Sequence, residues 1–337
     1  MKSPVLVLFQ GGTPLKTFYR FVAILSVTVM AWSHAHAYEA IEVPDGGTLS
    51  GKVTLKGTPP VPRVFPLVLY PFGPFCKKIS DGQGNVRLME FSVDSAGGLK
   101  DTIVAVQKVG RGKPFEPLKS DFVTIDCMFH PADVPDSEQF STGADGKVHH
   151  EHPLVTVVQN DQHVSILNRD PVFHNAQFFQ SEKGNIILNF PLPVSTDPRG
   201  GKLHFERDKR VVQLICGMHE FMQSWGFRVD NPYYAKTKKG GEYVIDKLPP
   251  GTYRVTAWHP HLKVIEKEVS VAANGKVSLD FEFDSAQVQR PIYESQRDFR
   301  IGTATPHSHM LSDTDERILM EETPAAGKDA GKEGGKP

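Results

Sequence analysis

Residues 211–222 read VVQLICGMHEFM. The first six are an apolar run closed by a glycine, the length and composition of one buried strand. The next six place an imidazole and a thioether behind the cysteine at Cys-x2-His-x2-Met spacing. Cys216, His219 and Met222 therefore share one short loop at a strand end. A thiolate, an imidazole and a thioether are soft or borderline donors, and three of them within seven residues form most of a metal site.

Outward from this loop, strand signals dominate. Residues 47–55 (GTLSGKVTL), 102–109 (TIVAVQKV), 154–158, 163–168 and 227–229 are short and rich in Val, Ile and Leu. Gly, Pro, Asn and Asp mark nearly every junction, and no long helical periodicity is present. The pattern predicts an all-β fold built as an antiparallel β-sandwich. A second unit follows Asn231-Pro232, with strands at 241–245 (GEYVI), 252–258 (TYRVTAW), 263–271 (KVIEKEVSV) and 276–283. Tyr253, Val255 and Ala257 fall on one face and Arg254, Thr256 and Trp258 on the other. Asn274-Gly275 predicts a hairpin between the last two of these runs. The expected organisation is a first domain over 38–230 with a polar insertion at about 131–152, a small β module over 231–284, and a tail over 285–337. From Pro324 the tail is Ala, Gly, Lys, Glu and Pro, too poor in apolar residues to bury a core.

The 337 residues carry 38 Lys+Arg and 39 Asp+Glu. With no basic excess to neutralise phosphates, nucleic acid is not an expected partner. Lys2, Lys16 and Arg20 precede an apolar run at 21–32, and Ala35-His36-Ala37 closes it. Charge, short apolar run and A-x-A site are the order of a cleaved export signal, with the mature chain starting at Tyr38 in the periplasm. An uncleaved membrane anchor is the competing reading. No other stretch is long and apolar enough to span a membrane. An oxidising compartment tends to pair cysteines, and the three cysteines, Cys76, Cys127 and Cys216, leave one over.

A second imidazole for the loop donors comes from residues 168–175, NRDPVFHN. There His174 stands at a strand edge beside a Pro-containing turn. A thiolate, two imidazoles and a long thioether make up the trigonal site of type 1 copper. The bland alternative makes Cys216 a buried free thiol with His219 and Met222 as chance neighbours. Zinc is a further option, although it seldom recruits thioether.

NRDPVFHN followed by CGMHEFM resembles the cupredoxin family, and amicyanin in particular, over about 154–229. GKVTLKGTPP near the start and KLPPGTYRVTAWH near the end resemble periplasmic plastocyanin-like proteins that join a cupredoxin to a carboxypeptidase-regulatory-like β module. The resemblance implies a Greek-key β-sandwich followed by a small β-sandwich module. It implies one type 1 copper held by His174, Cys216, His219 and Met222, with His219 the ring nearest solvent. Asn175 matches the position that ties the two ligand loops together. Glu220 stands where amicyanin has proline.

With Cys216 on the metal, Cys76 and Cys127 are expected to pair as a disulfide, since related proteins have cysteines in similar places. Such a bond contributes roughly 2–4 kcal/mol. A competing reading places Cys127 with His130 in a second metal site. His149, His150, His152, His259, His261, His307 and His309 are further clustered histidines, read as solvated or at turns. A closed four-donor site has no vacant position for substrate, so the expected role is single-electron transfer rather than enzymatic. A cytochrome or periplasmic dehydrogenase would dock around His219 through Met218, Phe221 and Trp225. The alternatives are a structural or adaptor subunit of an extracytoplasmic complex and a copper delivery protein.

Overall fold

The computed structural model describes residues 38–118, 120–132, 140–142, 148–150, 155–180, 185–206 and 209–289. The expected export signal, most of the insertion, and the tail beyond 289 with His307 and His309 lie outside these residues. Among the described residues, no helix is long and apolar enough to cross a membrane.

The regular secondary structure of the described residues is almost all strand, as the short apolar runs and turn residues predict. Around the Cys-x2-His-x2-Met loop, a five-stranded sheet runs in the order Val155–Val158, Gln223–Arg228, Val211–Cys216, His174–Gln180, Asn185–Leu192. A four-stranded sheet, Arg199–Leu203, Gln162–Asn168, Ser120–Ile125, Met128–Pro131, contributes to the same core. Phe122, Phe129, Val164, Ile166, Phe178, Leu192, Val212, Leu214 and Phe221 fill that core. Each strand offers alternate side chains to it, because successive residues of a strand point to opposite faces.

The segment before these sheets joins the same core. Strands Arg63–Pro66 and Asn85–Leu88 pair antiparallel. Between them lie the short turns Leu67–Leu69, Gly73–Cys76 and Lys77–Ile79. Phe65, Leu67, Tyr70, Cys76, Val86 and Leu88 pack with Phe221 and Met222. Cys76 is bonded to Cys127, with Cα atoms 5.6 Å apart, so Cys127 is not available to a second metal site with His130.

The second set of sheets draws on both ends of the chain. One runs Tyr234–Lys236, Ile103–Val106, Gly251–Trp258, Ile265–Val271. The other runs Glu242–Leu248, Gly47–Lys56, Lys276–Ser278, with Phe281–Asp284 also on Gly47–Lys56. The expected border at 230/231 therefore does not separate the sheets, because Gly47–Lys56 and Ile103–Val106 are built into the strands of 231–284. Backbone groups at the edges of those strands need partners, and the N-terminal strands supply them. Asn274-Gly275 also departs from expectation. Lys276–Ser278 pairs parallel with Gly47–Lys56, so the turn carries the chain from one sheet to the other and closes no hairpin. Asn274 takes the left-handed backbone the turn needs, at φ 54°.

Candidate metal centre

Register brings the site together. Ala176 is the Cα partner of Cys216 on the adjacent antiparallel strand. His174 lies two residues along and so shares Ala176's face, which sets its ring over the thiol. The loop after Cys216 is closed by backbone bonds. Cys216 N–H donates to the Met222 carbonyl at 3.0 Å, and Met222 N–H donates to the His219 carbonyl at 2.9 Å. This tight return aims His219 back at Cys216.

The three donor atoms converge. Cys216 Sγ is 3.8 Å from His174 Nδ1 and 3.6 Å from His219 Nδ1, and the two Nδ1 atoms are 3.2 Å apart. A point equidistant from the corners of such a triangle lies about 2.1 Å from each, close to metal–imidazole and metal–thiolate bond lengths. All three residues are fully buried.

Outer bonds decide which ring nitrogen faces the centre. His174 Nε2 lies 2.9 Å from Asp170 Oδ2, and His219 Nε2 lies 2.8 Å from the carbonyl of Pro71. A carbonyl or carboxylate oxygen only accepts, so each Nε2 carries the proton and each Nδ1 turns its lone pair inward. Two lone pairs at 3.2 Å repel unless a proton or a cation lies between them. Burial raises the Cys216 thiol, but the His174 and His219 rings outweigh it and hold the thiol at about 5. Burial lowers His174, while Asp170 and Cys216 outweigh it and lift the ring to about 9. Without metal, the pair is thus a thiolate beside an imidazolium.

Two backbone N–H groups, from Asn175 and Met218, donate to the sulfur at 3.4 Å each. Asn175 also joins the two loops through its backbone, since its carbonyl accepts from Gly217 N–H at 2.9 Å. Its side chain donates instead to Asn189 and to the Phe190 carbonyl. A Cβ on Gly217 would lie 2.6 Å from Asn175 Oδ1 and 3.0 Å from Gln177 Nε2, so a larger residue there would push those two amides aside. Met222 is buried in the core beside Cys216 and Phe221.

Asp170 escaped the sequence reading. Its carboxylate accepts from His174 and also from the backbone N–H groups of Asp126 and Cys127, at 2.8 and 3.0 Å. Asp126 and Cys127 both have positive φ, 53° and 59°. They form the turn between Ser120–Ile125 and Met128–Pro131, and such turns are otherwise dominated by Gly, Asn and Asp. Burial raises Asp170, but His174 and those N–H groups lower it further. The available signal was its place four residues before His174 in NRDPVFH.

The expected docking face is corrected. His219 is fully buried, as is His174, with its Nε2 against the Pro71 carbonyl and its ring against Phe72. Phe221 is fully buried against Phe65 and Tyr70. Trp225 is buried and meets His261 edge-on, with ring centroids 5.5 Å apart. Met218 is partly exposed. The physical reason is a distant segment: Tyr70, Pro71 and the Phe65 strand form an apolar cover, held to the sandwich by the Cys76–Cys127 bond.

Comparison with known proteins gives partial likenesses. A family profile described as polysaccharide lyase family 4, domain II, matches residues 208–279. No curated protein matches the chain. Among solved structures, a purple cupredoxin from Nitrosopumilus maritimus aligns at 18% identity and a TM-score of 0.21, covering 33% of this chain and 100% of its own. A copper-containing nitrite reductase from Thermus scotoductus SA-01 aligns at 14% and 0.23, covering 37% of this chain and 25% of its own. A reduced amicyanin mutant aligns at 11% and 0.22, covering 37% of this chain and 98% of its own.

Proposed function

We propose that the chain is a type 1 copper protein that carries single electrons and performs no bond-making catalysis. The observation that carries this reading is the inward-facing set of one thiolate and two Nδ1 lone pairs, 3.2–3.8 Å apart, with both outer ring protons committed elsewhere. His174, Cys216 and His219 would hold the ion, and Met222 would supply the long axial thioether. Copper bound there would supply a one-electron couple. Asp170 and the Pro71 carbonyl hold the two rings in the ligating tautomer, and the Asn175 and Met218 N–H groups stabilise charge on the sulfur. Buried donors on closed loops move little between oxidation states, which favours electron transfer over substrate binding.

Export to the periplasm and exchange with a cytochrome or periplasmic dehydrogenase belong to the same reading. So does a carboxypeptidase-regulatory-like role for the second sandwich as scaffold. Burial of His219 favours one alternative, a copper-bearing structural subunit that exchanges electrons slowly.

Copper(II) added to the metal-free protein is expected to bind at one ion per chain and give an intense blue absorption from thiolate-to-copper charge transfer. Cys216→Ser is expected to abolish the colour, while a Cys76→Ser/Cys127→Ser pair keeps it. A colourless protein holding several weak copper ions would sink the reading.

A further inference from the structure

We infer that Phe72, with the carbonyl of Pro71 beside it, is the port through which electrons reach the buried site. The inference rests on the electron-transfer reading above. Three rings pack against His219: His174, Phe221 and Phe72, with centroids 5.1, 5.6 and 6.3 Å away. His174 and Phe221 are fully buried, whereas Phe72 is 43% exposed. Phe72 is also one bond from the Pro71 carbonyl that accepts from His219 Nε2 at 2.8 Å. A route of one hydrogen bond and a few covalent bonds thus joins the surface at residue 72 to the ligand ring.

The backbone at Phe72 supports a role beyond filling space. Its φ is 57° and its ψ 18°, the left-handed region that glycine occupies freely and a phenylalanine occupies at a cost. Such conformations persist where surrounding structure imposes them, and they cluster at functional sites. Here the constraints are on both sides. A Cβ on Gly73 would lie 2.7 Å from the Leu67 carbonyl, so the chain passes close beneath itself. Cys76, four residues on, is bonded to Cys127 within the turn that Asp170 holds. The aromatic ring is thereby placed over the imidazole edge instead of being left to swing in solvent.

Charge placed at the port tests the inference. In the copper-loaded protein, one electron leaves the reduced site and converts hexacyanoferrate(III) to hexacyanoferrate(II). Phe72→Glu is expected to slow this reaction about tenfold relative to Phe72→Lys at low ionic strength, with the order reversed for a cationic tris(phenanthroline)cobalt(III) oxidant. The same pair of charges at Val244, exposed on the second sandwich, is expected to leave both rates close to wild type. Equal effects at 72 and 244, or a larger effect at Phe173 beside His174, would overturn the port.

A metal-free measurement separates this from failure of the copper reading. Phe72→Gly suits the left-handed backbone and should fold. Diethyl pyrocarbonate is expected to modify His219 several-fold faster in that variant, with His174, held by Asp170, unchanged. An unchanged His219 rate overturns the inference, whereas loss of the blue band in the wild type overturns the function on which it rests.

Discussion

Two buried polar clusters in this molecule use the same residue types to opposite effect. At the candidate metal centre, His174 and His219 send their outer nitrogens to Asp170 and to a carbonyl, leaving two lone pairs and a thiolate facing one another. In the second cluster, Glu90 lies between Arg63 and His261, whose Nε2 is 3.0 Å from the carboxylate. Phe91 stacks on His259 at 5.0 Å. Burial and the nearby His261 drive His259 down to about 3, so it is neutral at ordinary pH. Burial raises Glu90, but His261 and Arg63 outweigh it and hold it well below the carboxylate range. There Arg63 and Glu90 pair as opposite charges, and no three donors converge on one point. Histidine content does not make a metal site; the direction in which the protons are held does.

The largest test of this contrast is Glu90→Gln. It leaves Arg63 without its buried counter-charge and is expected to cost about 3–5 kcal/mol in chemical denaturation. The blue absorption of the copper-loaded protein should survive. Loss of colour at full stability would show that the second cluster also serves the metal.

Asp170→Asn sharpens the comparison from the other side. An amide can donate to His174 Nε2 and so favour the wrong tautomer. Copper affinity, read by competition with a chelator, is expected to fall about 10–100-fold. An unchanged affinity would mean that Asp170 serves only the turn at Asp126 and Cys127.

The smallest effect is in pH dependence, and its sign follows from two shifts. Cys216 titrates near 5 folded and near 9.0 unfolded, so its contribution grows as pH rises from 5 to 9. His174 titrates near 9 folded and near 6.5 unfolded, so its contribution is complete below 6.5 and is lost as pH rises to 9. Taken together, the stability of the metal-free wild type relative to Cys216→Ser should climb between pH 5 and 6.5. It should then climb less steeply to pH 9, as the part of the His174 shift that Cys216 causes is lost while the Asp170 part is common to both proteins. A difference that does not change with pH would exclude the thiolate–imidazolium pair.

Much of this molecule was legible before folding was considered. Short apolar runs between Gly, Pro and Asn are enough to specify strands, because a side-chain period of two needs only local alternation. The donors could be picked out because Cys216, His219 and Met222 sit on one loop and soft donor types are rare together. Pairing of Cys76 with Cys127 followed from the related proteins once Cys216 was committed to metal, and the bond is present. What remained hidden was long-range. Asp170 looked like one more turn residue, since its backbone partners lie 44 and 43 positions away. The cover over His219 comes from 148 positions upstream, and no local pattern at Pro71 or Phe72 announces it.

The amino-acid order alone therefore determined strand content and the candidate donors of the 216–222 loop, because both depend on neighbours a few residues apart. Only the tertiary structure decided which strands complete the second sandwich, which nitrogen of each ring faces inward, and that His219 is roofed rather than exposed. Those outcomes depend on backbone partners supplied from distant segments, and a buried polar group takes whichever partner the fold brings to it.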